Sequence, residues 1–598
     1  MKRADNEENK IILLHIFMSL LFLKYSLKKP FTYDLLTLKK RLVETVTKSS
    51  IDKWIKFLST SSSRLRKFLA WICGENPEAM EAKRLMYLKA AEKFKNAFDS
   101  EGEVIFARAP GRVNLMGRHM DFMGGYVNPI ATEAEIFVFA QARDDDWVYL
   151  RNMNPCYEPN CFQITQELPE EKIRNLQHWD RWTVKRFNED LKKGVKRDWD
   201  AYVKGLLIHL QNYYRLEDGE FIKKIRGMDI LVGGDLPARR GLSSSSALVT
   251  AIALVVREIN DIKIPLGEFI DLIGFSEWFV MTRGACADHA AITLCKRGYV
   301  SHIGSQPTDV SKVTYAPFPE DYCVLIVGSG FERPQDEETR NFLRVTAASY
   351  EIAALLIKDF YPEYASKIKW LRDVSTRNLN VSLSKIYEIL KSLPVKADRD
   401  NLRSLISEKH LNELEEIFSD HKAPKDGYNI RQVALYGLAE AERAHIFPRF
   451  LREGRIREIL RLIKTSHDGD RVSKFASDGK RLPWDTGWSS SDERIDELLK
   501  MIDEGYLEEA QLYWQPGGFE RSIPPIDHLC DIVDYFMEGE AEGQIIGAGL
   551  GGDVLILARK RDVNKLREIL REKYFRFYGV KEEITIVSPG QRASIFKL

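Results

Sequence analysis

Apolar residues recur three or four positions apart, with charges between them, over Lys39–Val46, Trp54–Leu58 and Ala79–Phe98, and predict helices there. Beyond Val104 the pattern shifts to short apolar runs bounded by glycine and proline. Val104–Ala107, Glu135–Ala142, Met228–Val232, Tyr322–Val327, Val554–Ala558 and Ile584–Val587 read as strands, with a Pro-Gly turn expected after the first. Ala247–Glu258 and Val563–Lys573 read as helices, and residues 342–465 as mostly helical. The mixture is irregular, so the fold class is α+β rather than alternating βα units. Ile11–Leu23 is an apolar run of 13 residues. It falls short of the roughly 20 that a membrane span needs and reads first as a buried or partner-facing helix, with a weak anchor as the second reading. The serine-rich Thr60–Ser63 stretch reads as a linker, and residues 470–520, rich in Gly, Ser, Asp and Trp, as an insertion.

Charge narrows the function classes. The chain has 89 Lys plus Arg against 88 Asp plus Glu over 598 residues, a net of +1. A protein built to coat nucleic acid would carry a basic excess, so no nucleic-acid partner is expected. No membrane partner is expected either. Seven scattered cysteines form no CxxC pair, which fits a reducing, cytoplasmic setting.

Four stretches carry chemistry. Arg108–Tyr126 (RAPGRVNLMGRHMDFMGGY) gathers Arg112, Asn114, Arg118, His119 and Asp121, with Gly124 and Gly125 allowing close backbone approach. Such closely spaced polar groups suit a polyhydroxylated ligand, or else a charged surface loop. Gly233–Ala247 brings glycine and four serines, Ser243, Ser244, Ser245 and Ser246, to the start of an apolar helix. Amides at a helix start, its positive end and hydroxyls make an anion cradle. The Walker pattern is missing, so any nucleotide site here is not a P-loop. Gly547–Gly552 satisfies GxGxxG, but a strand follows it instead of a helix, so a glycine turn between strands is expected in place of a dinucleotide site. In Glu277–His289, Glu277 and Asp288 become a metal ligand and a proton acceptor only beside a phosphate cradle.

In this order the motifs resemble those of the GHMP kinases, and the first one narrows the resemblance to galactokinases. It spans residues 100–470 and 520–598. Ala109–Gly125 is similar to the family's APGRVNLIGEHTDYNGG, Gly233–Ala247 to its serine cradle and Gly547–Gly552 to its GGGFGG loop. Trp199–Gly205 and Ser466-His467 resemble further galactokinase segments. The resemblance implies a two-lobed GHMP kinase fold, with a ribosomal S5 domain 2-like N-lobe and a ferredoxin-like C-lobe. The boundaries expected are 1–99 for a helical N-terminal extension, 100–320 for the N-lobe and 321–598 for the C-lobe, with the insertion at 470–520.

The resemblance also implies the roles. ATP would lie on Arg239, Gly241, Leu242, Ser243, Ser244, Ser245, Ser246 and Gly549, with Mg²⁺ on Ser244, or on Ser245 in a shifted register, and on Glu277. Glu277 stands one residue closer to Asp288 than its family counterpart. Asp288 would take the proton of the attacking hydroxyl, and Arg112 would keep Asp288 ionised and stabilise the transferring charge. The sugar would meet Arg118, His119, Asp121, Gly124 and Gly125, and the product would be a sugar 1-phosphate. Two departures stand out. Arg118 replaces the family's glutamate, exchanging an acceptor for a donor. It either binds an anionic sugar such as a uronic acid or turns to a protein carboxylate. His289 replaces the usual glutamine and either tunes Asp288 or packs. The competing functions are a non-catalytic, galactokinase-like sugar and ATP sensor, and a mevalonate or homoserine kinase. The intact serine cradle, Asp288 and Arg112 favour an enzyme, and the polar NLMGRHMDFMGG stretch favours a sugar.

Overall fold

The computed structural model describes residues 50–98, 102–120, 123–238, 240–284 and 286–598. The helix expected at Lys39–Val46, the apolar run Ile11–Leu23, and the site candidates Asp121 and Arg239 lie outside the described residues. No helix among the described residues is long and apolar enough to cross a membrane.

The periodic segments near the start form α1 (Ile51–Ser59), α2 (Ser63–Cys73) and α3 (Pro77–Ala97). Asn76 caps α3 by accepting from the Glu78 and Ala79 amides, and Pro77 fits its first turn. These helices are not a detachable arm. The Trp54 ring lies 5.5 Å from Phe106 and 5.7 Å from Phe139, and its Nε1 donates to the Val104 carbonyl at 3.0 Å. The Thr60–Ser63 stretch is a short extended connection from α1 into α2, which Ser62 caps and Ser63 opens, so it joins two packed helices. The reason is burial: Trp54, Tyr87 and Phe94 have nowhere else to hide.

They pack on a six-stranded sheet. Its strands come from β1 (Val104–Asn114), β3 (Pro129–Ala142), β4 (Trp147–Asn152), β5 (Asn160–Gln163) and β6 (Met228–Gly234), with β2 (Tyr126–Val127) lying outside it. The final strand of the chain, β13 (Ser594–Phe596), returns to its edge and gives the order β13-β1-β3-β6-β4-β5. The expected C-lobe boundary is therefore crossed at its end: Phe596 pairs with Phe106 and closes on Phe68 at 4.8 Å. The Pro110-Gly111 pair is a bulge inside β1, not a turn, because β1 continues to pair with β3 on both sides of it. Helices α4 (Trp199–Tyr213) and α5 (Ser244–Ile259) cover one face, burying Val203, Leu206, Val249 and Ile252 against Ile230 and Val232. Then follow α6 (Leu266–Ser276), α7 (Ala287–Leu294), β7 (Tyr299–Gly304) and β8 (Thr314–Pro317), with β2, β7 and β8 forming a small sheet.

The second half is built on a four-stranded antiparallel sheet, β10-β11-β9-β12, from β9 (Tyr322–Gly328), β10 (Ala541–Ile545), β11 (Asp553–Arg559) and β12 (Ile584–Val587). Between β9 and β10 run α8 (Glu337–Phe360), α9 (Ile430–Arg452), α10 (Ile456–Asp470) and α11 (Pro524–Met537). The two sheets with their helices make the two lobes of the expected α+β fold. Within the 470–520 stretch, Ile495, Leu498 and Leu512 are buried in the same core as α8 and α9.

A buried charge cluster joins α3 to the first sheet. Glu135 accepts from Arg108 and from the Tyr87 hydroxyl, and Lys83 reaches it at 3.0 Å and Asp235 at 2.9 Å. Burial by itself would raise the Glu135 pKa, but Arg108 and Lys83 outweigh it and hold the carboxyl below its ordinary value. Trp54→Ala should lower unfolding free energy by about 3–5 kcal/mol in urea titration, because its cavity opens at the helix–sheet joint. A change within 1 kcal/mol would show that α1 is dispensable to the lobe.

Candidate functional site

The strand β6 ends at Gly234, and the chain loops into α5 through two left-handed residues, Gly241 (φ 64°) and Ser243 (φ 55°). The loop lies against β1. A Cβ on Gly111 would sit 2.8 Å from the Leu242 carbonyl, so only glycine permits the approach. The Arg112 amide donates to that carbonyl at 3.1 Å, and Arg112 Nη1 donates to the Gly241 carbonyl at 2.8 Å. Leu242 and Ser246 are buried, while Ser243, Ser244 and Ser245 are partly open at the positive end of α5.

Asp288 stands in the first turn of α7 and meets this loop. Arg112 Nε and Nη2 donate to its two oxygens at 2.7 and 2.6 Å, and the Ser243 hydroxyl donates to Oδ2 at 2.5 Å. The bidentate geometry is the strong form of a carboxylate pair. About 33% of the Asp288 side chain stays exposed, so it faces open space as well as its partners. Desolvation pushes its pKa up, but Arg112 and the hydroxyl bring it below the ordinary carboxylate value. The structure thus brings together Arg112, Gly241, Ser243 and Asp288.

Glu277 follows α6 in a short 3₁₀ turn. Gly205 of α4 lets that turn press close, since a Cβ there would meet the Ser276 carbonyl at 2.8 Å. The Glu277 carboxylate is buried, with Oε1 3.2 Å from His289 Nε2, outside hydrogen-bond geometry. His289 therefore packs against Glu277.

The second half of the first motif folds inward. Gly117 (φ 89°) brings its backbone against Tyr126, and the Gly117 and Arg118 amides donate to Glu440 Oε1 at 2.8 and 2.9 Å. Arg118 is buried. Its guanidinium pairs with Asp470 at 2.8 Å and donates to the Ser466 and Ile545 carbonyls at 2.7 and 2.9 Å. Of its two expected placements, the structure shows the one on a protein carboxylate. His119 (φ 55°) stacks on Phe519 at 4.8 Å, with Nε2 3.4 Å from Asp470. Burial opposes ionisation of Asp470, but Arg118 and His119 hold its carboxyl far below the usual range. Its Oδ1 has no hydrogen-bond donor. The close approach at Gly124 is made by the protein itself: a Cβ there would lie 2.8 Å from Arg372 Nη1. Gly125 accepts from the Ser305 amide at 3.2 Å.

The third motif is the hairpin joining β10 to β11, as its context indicated. Gly549 sits over the Arg521 carbonyl, which a Cβ would approach to 2.4 Å, and Gly551 over the Arg333 amide at 2.7 Å. Gly241 reaches Ile546 of the same hairpin, so the second and third motifs touch. Sequence reasoning missed Glu440, Asp470, Phe519 and Arg521. Asp470 lies four residues beyond Ser466, a recognisable segment. Phe519 and Arg521 carried no local signal.

Residues 92–142 match the galactokinase galactose-binding signature, and residues 201–296 match the GHMP kinases N terminal domain. The chain carries the signatures of a galactokinase-like GHMP kinase. Its curated relatives include the galactokinase of Glaesserella parasuis, 24% identical over 478 residues that cover 79% of this chain and 90% of that one. The galactokinase of Dictyostelium discoideum is 22% identical over 500 residues, covering 83% of this chain and 89% of its own. Among solved structures, the Lactococcus lactis galactokinase complexed with galactose matches with a TM-score of 0.54 at 18% identity, over 86% of this chain and 100% of its own. The fold expected from the motifs of this galactokinase-like chain is the fold found.

Arg118→Ala should lower stability by about 3–5 kcal/mol, because the Asp470 charge is left buried and unpaired. The double change Arg118→Met with Asp470→Leu should recover most of that loss in thermal melts. Equal losses in the single and double variants would show that the pair itself is unimportant. The lowered Asp470 pKa means its contribution is present above its ordinary value near 3.8 and is lost as pH falls below it, so the double variant should lose less stability in acid.

Proposed function

We propose that this sugar kinase transfers the γ-phosphoryl group of ATP to the anomeric hydroxyl of a neutral, galactose-like sugar, giving a sugar 1-phosphate. The observation that carries the reading is the Arg112–Asp288–Ser243 cluster at the lip of the serine loop. Phosphates would rest on the amides and hydroxyls at the start of α5, where the helix end favours anions. Asp288, ionised at neutral pH, would accept the proton of the attacking hydroxyl. Arg112 would hold that carboxylate in place and offset charge on the moving group. In a loose phosphoryl transfer the proton leaves late, so a weakly basic carboxylate serves.

Mg²⁺ fits the donors that remain. The Ser244 hydroxyl and the buried Glu277 Oε1, which lacks a hydrogen-bond donor, would supply oxygen ligands beside those of the phosphates and neutralise phosphate charge. His119 would face the sugar. A neutral sugar is supported over a uronic acid because Arg118 is spent on Asp470 and on carbonyls. The seven cysteines form no CxxC pair and no disulfide among the described residues, which supports a reducing, cytoplasmic setting.

ADP release measured over a sugar panel tests this reading. Galactose or a neutral stereoisomer should turn over at least tenfold faster than galacturonate, and the reverse preference would sink the neutral-sugar proposal. Asp288→Asn should cut turnover by about 10²–10⁴-fold while ATP still binds. Retained turnover would remove Asp288 as the base. Because the Asp288 pKa lies below 3.8, its ionisation should place no acid limb on the rate between pH 5 and 8. A limb near pH 6 that vanishes in Asp288→Asn would contradict that.

A further inference from the structure

A cavity of about 550 Å³ opens beside the first motif, between Tyr126, the loop after β7, the Arg372–Asn378 segment and α9. Gly125 and Tyr126 of that motif line it, while none of Arg112, Arg118, His119, Ser243 or Asp288 does. Its volume is that of a small-molecule site.

Its charges are unevenly satisfied. Arg377 closes on Glu442 through two hydrogen bonds of 2.8 Å. Lys312 pairs with Asp309 at 3.0 Å but keeps 70% of its side chain exposed. Arg372 differs from both. Its side chain is only 22% exposed, its carboxylate contact among the described residues is Asp373 at 3.7 Å, and its hydrogen bond to the Ser305 carbonyl is a long 3.3 Å. Asp373 is already engaged, since its Oδ2 accepts from the Lys369 and Trp370 amides at 2.9 and 2.8 Å. A largely buried guanidinium without a closed carboxylate partner is costly, and a planar fork of donors suits a phosphate.

The rest of the wall suits a sugar ring. Tyr126 lies flat on His302, with centroids 4.5 Å apart and 9° between planes, and 4.6 Å from His445. Burial lowers His445 of the wall to about 4, so near neutral pH it is uncharged and adds an aromatic surface rather than a cation, while His302 backs Tyr126 from outside the lining. The cavity also touches the site. Arg372 Nη1 lies where a Gly124 Cβ would come within 2.8 Å, and Ser305 of the cavity wall donates through its amide and its hydroxyl to the Gly125 carbonyl at 3.2 and 3.1 Å.

We infer that this cavity binds a phosphate monoester of a sugar, with its phosphate on Arg372 and Lys312 and its ring against Tyr126. An occupant that draws Arg372 toward its phosphate alters the packing on Gly124 and weakens sugar binding at the first motif. The class of compound is that of the reaction's own product, so the site is a feedback site.

Calorimetric titration of the full chain tests this, with galactose 1-phosphate, galactose 6-phosphate and inorganic phosphate as probes. Each titration is done with and without a saturating non-hydrolysable ATP analogue plus galactose. At least one phosphosugar should bind in both conditions and more tightly than inorganic phosphate, and more weakly when the analogue and galactose are present, because coupling between two sites is reciprocal. Arg372→Met should weaken that binding by about tenfold or more, with Arg372→Lys intermediate. Ser375→Asp places a negative charge in the wall yet keeps the helix cap that Ser375 offers the Asn378 amide, so it should weaken binding without lowering the melting temperature. The proposal fails if the analogue and galactose abolish phosphosugar binding outright, which would place it in the catalytic cleft, or leave its affinity unchanged, which would remove the feedback. It also fails if both variants bind as wild type does, if no probe binds, or if inorganic phosphate binds as tightly as the sugar esters. Binding is read without turnover, so failure of the kinase reading would appear separately, as absent ADP release.

Discussion

The ion pair between Arg112 and Asp288 is the contact on which the site depends. Arg112 reaches it from the bulge in β1, Asp288 from the first turn of α7, and Ser243 from the loop that opens α5. Those three stretches lie far apart in the chain and share no secondary structure. The bulge at Pro110–Arg112 aims the arginine, and the missing side chain of Gly111 lets the loop carrying Gly241 and Ser243 close over it. Ser243 is held in a left-handed conformation that a non-glycine residue adopts only under constraint, and such strain is commonly stored at working sites.

A second, fully buried network supports the first motif from behind. Glu440 of α9 holds the Gly117 and Arg118 amides and accepts from Arg443 and Ser466, while Asp470 pairs with Arg118. Buried ion pairs contribute little net stability against a well-packed apolar alternative, but removing one partner is costly. The exchange of glutamate for arginine at position 118 therefore reads as half of a charge pair whose other half is Asp470. Its meaning for the substrate is indirect: the guanidinium at position 118 is spent on a protein carboxylate.

The helices at 51–97 belong to the first lobe. The aromatic cluster of Trp54, Phe68, Tyr87, Phe106, Phe137 and Phe596 spans the helices, β1, β3 and the last strand of the chain, so both ends of the described chain meet over one sheet. The Lys83–Glu135–Arg108 cluster adds a polar lock that tolerates burial because each charge is paired.

Local pattern determined a good deal. Apolar period placed α1, α3 and α5 within a few residues, alternation and apolar runs placed β9, β11 and β12, and the first, second and fourth stretches singled out Arg112, Ser243 and Asp288. These were legible because each depends on neighbours within a helix turn, a strand or a glycine loop. The tertiary structure alone decided the rest. It turned Pro110-Gly111 from a turn into a bulge, since pairing with β3 outweighs local turn chemistry. It carried Phe596 back to β1 and folded the first helices onto the sheet, since apolar area is buried wherever a partner face is free. It also set Arg118 against Asp470, 352 positions along the chain, because a buried guanidinium takes the nearest carboxylate in space, and nothing in the local sequence encodes that distance.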